Sequence, residues 1–149
     1  MRLGWPATLL CAALGMPHDA SATLGEPEAS VQADTVQLQG SLKASDRTSY
    51  RVHEIQLPSG TLVREYSVPD GTVFAVAWNG PFMPNLRQML GRYFDEYAAA
   101  AAAAQRDHRH LEVRQADLVV QVGGHMRAFA GRAYLPAAVP SGVSIGELQ

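Results

Sequence analysis

Four side chains in the middle of the chain are of types that could carry proton chemistry: His53, Glu54, Arg64 and Glu65. A histidine facing a carboxylate is a usable general base, because the carboxylate fixes its tautomer and raises its basicity, and a nearby arginine could hold an anion. His53 with Glu65 would suit a small hydrolase or isomerase. The ordinary alternative is cross-strand pairing of opposite charges, worth about 0.2 to 1 kcal/mol per pair. Glu54 with Arg64 reads as a structural pair of that kind.

Two further groups ask for the same weighing. His108 and His110, with Asp107 beside them, form a His-x-His that could begin a metal site on a strand, but zinc and its relatives take three or four ligands and no others are assigned. The segment reads as a solvated loop, no metal is expected, and His125 reads as a residue flanking a turn. The other group is Trp78-Asn79-Gly80-Pro81-Phe82, where two rings beside a backbone-rich loop are typical anchors of a recognition surface. The plainer reading tucks both rings under a following helix and uses Asn-Gly-Pro as the corner. No phosphate loop, dinucleotide fingerprint, zinc-protease helix motif or nucleophile elbow occurs, so no cofactor is expected.

The elements that must position these groups are announced by two turns, "LPSGT" at 57–61 and "VPDGT" at 68–72. In each, Pro presets the first corner, Ser or Asp bonds back to the backbone, and Gly takes a left-handed position that closes a three-residue hairpin loop. The result is a three-stranded antiparallel meander. Pairing Leu57 with Thr61 sets His53 opposite Glu65 and Glu54 opposite Arg64. Pairing Val68 with Thr72 sets Tyr66 opposite Phe74 and Leu62 opposite Trp78.

Alternation then sorts the side chains onto two faces. One carries Tyr50, Val52, Leu62, Tyr66, Val68, Phe74, Val76 and Trp78 with the Glu54/Arg64 pair. The other carries Ile55, Val63, Val73, Ala75 and Ala77 with His53 and Glu65. The two charged pairs therefore point to opposite sides and cannot form one site.

After Pro84 the period changes to that of a helix. Phe82, Leu86, Met89, Leu90, Tyr93, Phe94 and Tyr97 recur at spacings of three and four, and the alanine run 98–104 extends the helix to about 30 Å. Gly91 inside it suggests a close backbone approach to a ring. Leu118, Val119, Val120 and Val122 before Gly123-Gly124, with Met126, Ala128, Phe129, Ala133 and Tyr134 after, read as a hairpin with a two-residue glycine turn. Gly131 marks a bulge or close packing. Near the N-terminus, Pro27 could open a short helix carrying Ala29, Ala33 and Val36.

The beginning of the chain has another purpose. Arg2, the apolar stretch 3–16 and Ala20-Ser21-Ala22 read as a cleaved signal peptide over residues 1–22. The stretch is too short for a membrane span, which takes about 20 apolar residues. Cleavage removes Cys11, the sole cysteine, so disulfides and thiol chemistry are excluded from the mature chain. Lipidation of Cys11 would want a small residue where Leu10 stands. A formal net charge of -2 with both signs interspersed supplies no basic stripe for nucleic acid.

The stretches "HEIQLPSGTLVREYSVPDGTVFAVAWNGPFMPNLRQMLGRYF" and "GHMRAFAGRAYLP" resemble an uncharacterised family of short exported Gram-negative proteins, domain of unknown function 2844. The resemblance runs from about Thr23 to Pro140 and lies in the paired turns, the Trp-x-Gly-Pro corner and the Gly-Arg-Ala-Tyr-Leu-Pro end. It implies export and a shared fold. It brings no activity, cofactor or catalytic residue.

The expectation is one α+β domain over residues 23–140, followed by a tail over 141–149. It comprises a short N-terminal helix, the three-stranded meander, one long amphipathic helix on the aromatic face, and a C-terminal hairpin joining the same antiparallel sheet. The expected function is non-catalytic binding or assembly in the periplasm or outside the cell. Its candidate binding residues are Trp78, Asn79 and Gly80, with Ile55, Val63 and Ala75 on the second face, which needs a cover from the N-terminal segment, a protein partner or a second copy. The rivals are the His53/Glu65 enzyme and a small-ligand carrier with a cavity between sheet and helix, beneath Trp78 and Tyr93.

Overall fold

The computed structural model describes residues 24–69, 71–104 and 110–149. In chain order the elements are α1 (Ser30–Gln37), β1 (Ser41–Asp46), β2 (Arg51–Gln56), β3 (Leu62–Ser67), β4 (Val73–Gly80), α2 (Leu86–Leu90), α3 (Phe94–Ala103), β5 (His110–Arg114), β6 (Val119–His125) and β7 (Ala128–Tyr134). The strands form a single seven-stranded sheet in the order β1-β2-β3-β4-β7-β6-β5, and every pair is antiparallel. Residues 1–22, Asp107 and His108 lie outside the described residues.

Both Pro-containing turns close as their spacing requires. The Leu57 amide donates to the Thr61 carbonyl and the Val68 amide to the Thr72 carbonyl, each at 2.9 Å, with Gly60 and Gly71 at φ 88° and 91°. The first turn sets His53 against Glu65 and Glu54 against Arg64, as read from the sequence. The second starts in the expected register, Ser67 against Val73, and then a bulge makes Phe74 the surplus residue. Tyr66 consequently pairs with Ala75, and Leu62 with Asn79. Val76 and Trp78 turn over to join Ile55 and Val63, while Ala75 and Ala77 join Tyr66 and Phe74.

The bulge decides which layer goes where. Met89, Leu90, Tyr97 and Ala101 of the helical segments, with Leu24 and Val31, pack on Ile55, Val63, Val76 and Trp78. The helix therefore does not lie on the aromatic face, because the bulge sends Val76 and Trp78 of β4 to the other side while Phe74 stays with Tyr66. Tyr50, Tyr66 and Phe74 form a ring cluster with centroids 5.9 to 6.3 Å apart, and this face is covered by Val143, Ile145 and Leu148. Leu148 is only 1% exposed, so residues 141–149 close a layer of the molecule.

Three further local departures have local causes. The long helix is interrupted: Gly91, at φ 47° and ψ -119°, ends α2, and a 3-10 turn Gly91–Tyr93 leads into α3. Gly123 and Gly124 belong to β6, paired with Ala130 and Phe129, and the hairpin turns instead at Met126-Arg127. A Cβ on Gly124 would stand 2.1 Å from the Ala128 carbonyl oxygen, so that glycine serves a close approach. Strand β1 was not expected at all, since Ser41-Leu42-Lys43-Ala44-Ser45-Asp46 is mostly exposed and poor in strand formers.

Candidate functional site

The charged quartet separates across the sheet. Arg64 Nε donates to Glu54 Oε1 at 2.8 Å, and Arg64 Nη1 donates to the Gln149 backbone oxygen at 2.6 Å, so the pair also clasps the closing segment. The Tyr66 hydroxyl donates to the same oxygen at 3.1 Å.

His53 and Glu65 are cross-strand neighbours whose side chains find other partners. His53 Nε2 lies 3.1 Å from Glu28 Oε1 and 3.2 Å from Ser67 Oγ, while Nδ1 has no partner among the described residues. A serine, a histidine and a glutamate are thus together, but both oxygens meet one ring nitrogen. A nucleophile–base–orienter relay needs them on opposite nitrogens. His53, Ser67 and Glu65 are also buried. Burial holds His53 below its ordinary basicity despite the opposing pull of Glu28. Burial and the adjacent Asp34 carboxyl push Glu65 well above the usual carboxylate range.

The apolar candidates are core. Ile55 and Val63 lie under the N-terminal segment and helices, and Ala75 lies under the closing segment, so none offers a surface to a partner. Trp78 is buried in register with Gly131, where an added Cβ would fall 2.3 Å from its ring. Gly80 fits against Thr61, whose Cα would lie 2.4 Å from an added Cβ. Asn79 is exposed.

Asn79 rims a cavity of about 560 Å³ on the far half of the sheet, and the Trp78 backbone strand borders it. Its lining includes Gly123, Gly124, Ala130 and Gly131, which leave strand backbone nearly bare of side chains. The polar wall is a chain of contacts. Arg132 Nη1 donates to the Ile145 carbonyl at 2.6 Å, Arg132 Nε to Gln121 Oε1 at 2.7 Å, and Gln121 Nε2 to Glu112 Oε2 at 2.9 Å. Glu112 also takes a bond from Arg114, and the Gln121 and Arg114 donors hold its carboxyl below the usual range. Leu148 and Gln149 close one flank, and no residue of α2 or α3 contributes. The cavity is thus not the one expected beneath Trp78 and Tyr93.

Residues 20–148 match the family described as Protein of unknown function (DUF2844). The chain belongs to the DUF2844 family. No match to it was found among curated proteins or among solved structures. In this DUF2844 chain His110 is at the cavity margin and His125 is exposed, and among the described residues no three His, Cys, Asp or Glu side chains gather as a metal site. No helix among them is long and apolar enough to cross a membrane.

Sequence reasoning missed Asp34, Gln88, Gln121 and Arg132. Asp34 and Gln88 sit in helices whose polar residues looked outward, yet both are buried, with Gln88 Nε2 donating to Asp34 Oδ1. Arg132 lies between Gly131 and Ala133 in a strand, and alternation opposite Gln121 was the signal that could have found it.

Proposed function

We propose that this protein is an exported, non-catalytic binding protein that takes a small ligand, partly apolar and partly polar, in the cleft bordered by Asn79, Gln121 and Arg132. The observation carrying this reading is the cavity itself. About 560 Å³ falls within the range of small-molecule sites, roughly 300 to 1,000 Å³, and such sites set a few oriented polar groups in a mainly apolar lining, to which Leu111, Val122 and Leu148 contribute here. The Arg132–Gln121–Glu112 chain pre-orients donors and acceptors, so little ordering is required on binding. Of the binding residues read from sequence, Asn79 and Trp78 stay with this cleft. Export rests on the N-terminal pattern of residues 1–22, and protein sequencing from periplasmic extract should find a start near Thr23.

The anionic aromatic dye 8-anilinonaphthalene-1-sulfonate tests the cleft. Its fluorescence should rise saturably at one site per chain. Ala130→Trp, which fills the cavity from a position where a Cβ is already accommodated, should abolish the rise, and Ala137→Trp on the exposed turn should not. Equal dye binding by the wild type and a folded Ala130→Trp protein would sink the reading.

A further inference from the structure

The wall of the cleft carries a positive charge that no described carboxylate answers. Arg132 of β7 is half-buried, and three of the five N–H groups of its guanidinium are committed: Nε to Gln121 Oε1 at 2.7 Å, and Nη1 to the Ile145 and Leu148 carbonyls at 2.6 and 3.4 Å. All of those acceptors are neutral. The N–H groups on Nη2 meet no acceptor among the described residues. Arg64, the other half-buried arginine among them, is paired with Glu54 at 2.8 Å. Glu112, in the same wall as Arg132, already has Arg114 and Gln121.

Strand register fixes what lies beside that charge. Ala77, Arg132, Gln121 and Glu112 form one row across β4, β7, β6 and β5, and Asn79, Ala130, Gly123 and His110 form the next. Residues two apart on a strand share a face, so both rows project to the same side. The middle of the second row holds only a methyl group and a hydrogen. Between Asn79 and His110 it is a trough about 14 Å long, at about 4.8 Å per strand. Arg132 lines one side of it, and Leu148 and Gln149 border it. Such a floor receives a flat ring against the peptide planes, and the arginine row is about 7 Å away, within reach of a substituent on that ring. Glu112 stays ionised, its carboxyl held low by Gln121 and Arg114, and so disfavours a doubly charged guest such as a phosphate monoester.

Given a ligand site in this cleft, as proposed above, we infer that it selects small planar carboxylic acids as their monoanions, with the ring on Ala130 and Gly123 and the carboxylate on Arg132 Nη2. A charge-assisted bond to a half-buried guanidinium is stronger than one between neutral groups, so charge and flatness together set the preference.

2-Naphthoate and 2-naphthalenemethanol share a ring system and differ in charge, and calorimetric titration of each into the full mature chain at pH 7.5 tests this. The acid should bind at least tenfold tighter than the alcohol at low salt, and the ratio should shrink in high salt as the ion pair is screened. Arg132→Gln should bring the acid down to the alcohol's affinity and leave the alcohol within about twofold of wild type. Arg127→Gln, on the exposed hairpin turn, should change neither. Independently of any variant, the Arg132 Nε–H resonance of the wild type should shift on adding the acid and stay in place with the alcohol. Equal affinities for the two compounds, both lost in Ala130→Trp, would overturn the selectivity while leaving the site standing. So would a preference retained by folded Arg132→Gln, an unmoved Arg132 resonance, or failure of the acid to bind a chain that binds the dye. Absence of dye binding as well would remove the site itself.

Discussion

The two faces of the sheet are covered by different means. On the helical side, the cover rests on apolar contacts plus buried ionisable groups, Asp34 and Glu65, with His53 beside them. On the other side, arginines reach outward-lying backbone oxygens: Arg64 to Gln149, and Arg132 to Ile145. A guanidinium bonded to a carbonyl keeps its charge at any pH a folded protein meets, whereas buried acids and imidazoles do not. Between pH 6 and pH 9, then, pH should act on the helical layer, whereas on the other side Glu112, held low by Gln121 and Arg114, contributes a slope only in acid and Tyr66, raised by burial, only in alkali.

The signs can be worked out for each group. Glu65 is raised by burial and Asp34, so its contribution is present below about pH 4.3, the unfolded value, and is lost as pH climbs through the folded one. His53 is lowered by burial, so its contribution is present above about pH 6.5 and is lost as pH falls through the folded value. Both slopes belong to the helical side.

The comparison breaks first at Leu148. Leu148→Ala should cost about 2 to 5 kcal/mol in urea unfolding, as buried leucine truncations do. A cost near zero would make the closing segment a passenger. Gly131→Ala should cost about 1 to 3 kcal/mol, with a shifted Trp fluorescence maximum, because the added methyl meets the Trp78 ring. Arg132→Met should cost about 1 to 2 kcal/mol by the same assay, equally at pH 6 and pH 9. Glu65→Gln should instead raise stability more at pH 9 than at pH 6, and a pH-independent effect would erase the distinction between the faces. The smallest change belongs to Phe82→Ser: this ring is 58% exposed, and the effect should stay within about 0.5 kcal/mol.

What could be read from sequence was whatever a turn formula or a clear period dictated. The Pro-Ser-Gly turn fixed the β2–β3 register to the residue, and the α+β class followed from the change of period after Pro84. The β3–β4 register did not follow, because Val73 to Trp78 is buried on both sides and carries no alternation that a bulge could disturb visibly. Strand β1 escaped because it is held by backbone pairing to β2 and buries little. The closing segment escaped because Val143, Ile145 and Leu148 stand two and three residues apart among small and polar residues, a spacing that sustains neither a strand nor a helix period. The cleft escaped for a related reason: its floor is a lack of side chains, and Gly123 and Gly124 looked like a turn.

The surplus residue at Phe74 makes the layering a matter of parity. Deleting one amino acid there would hand Val76 and Trp78 to the tyrosine side and the two alanines to the helices, leaving a hollow on one side and a collision on the other. A sheet with like coverings could absorb such a slip, but one with two dissimilar coats cannot, so this position should tolerate a change of side chain far better than a change of length.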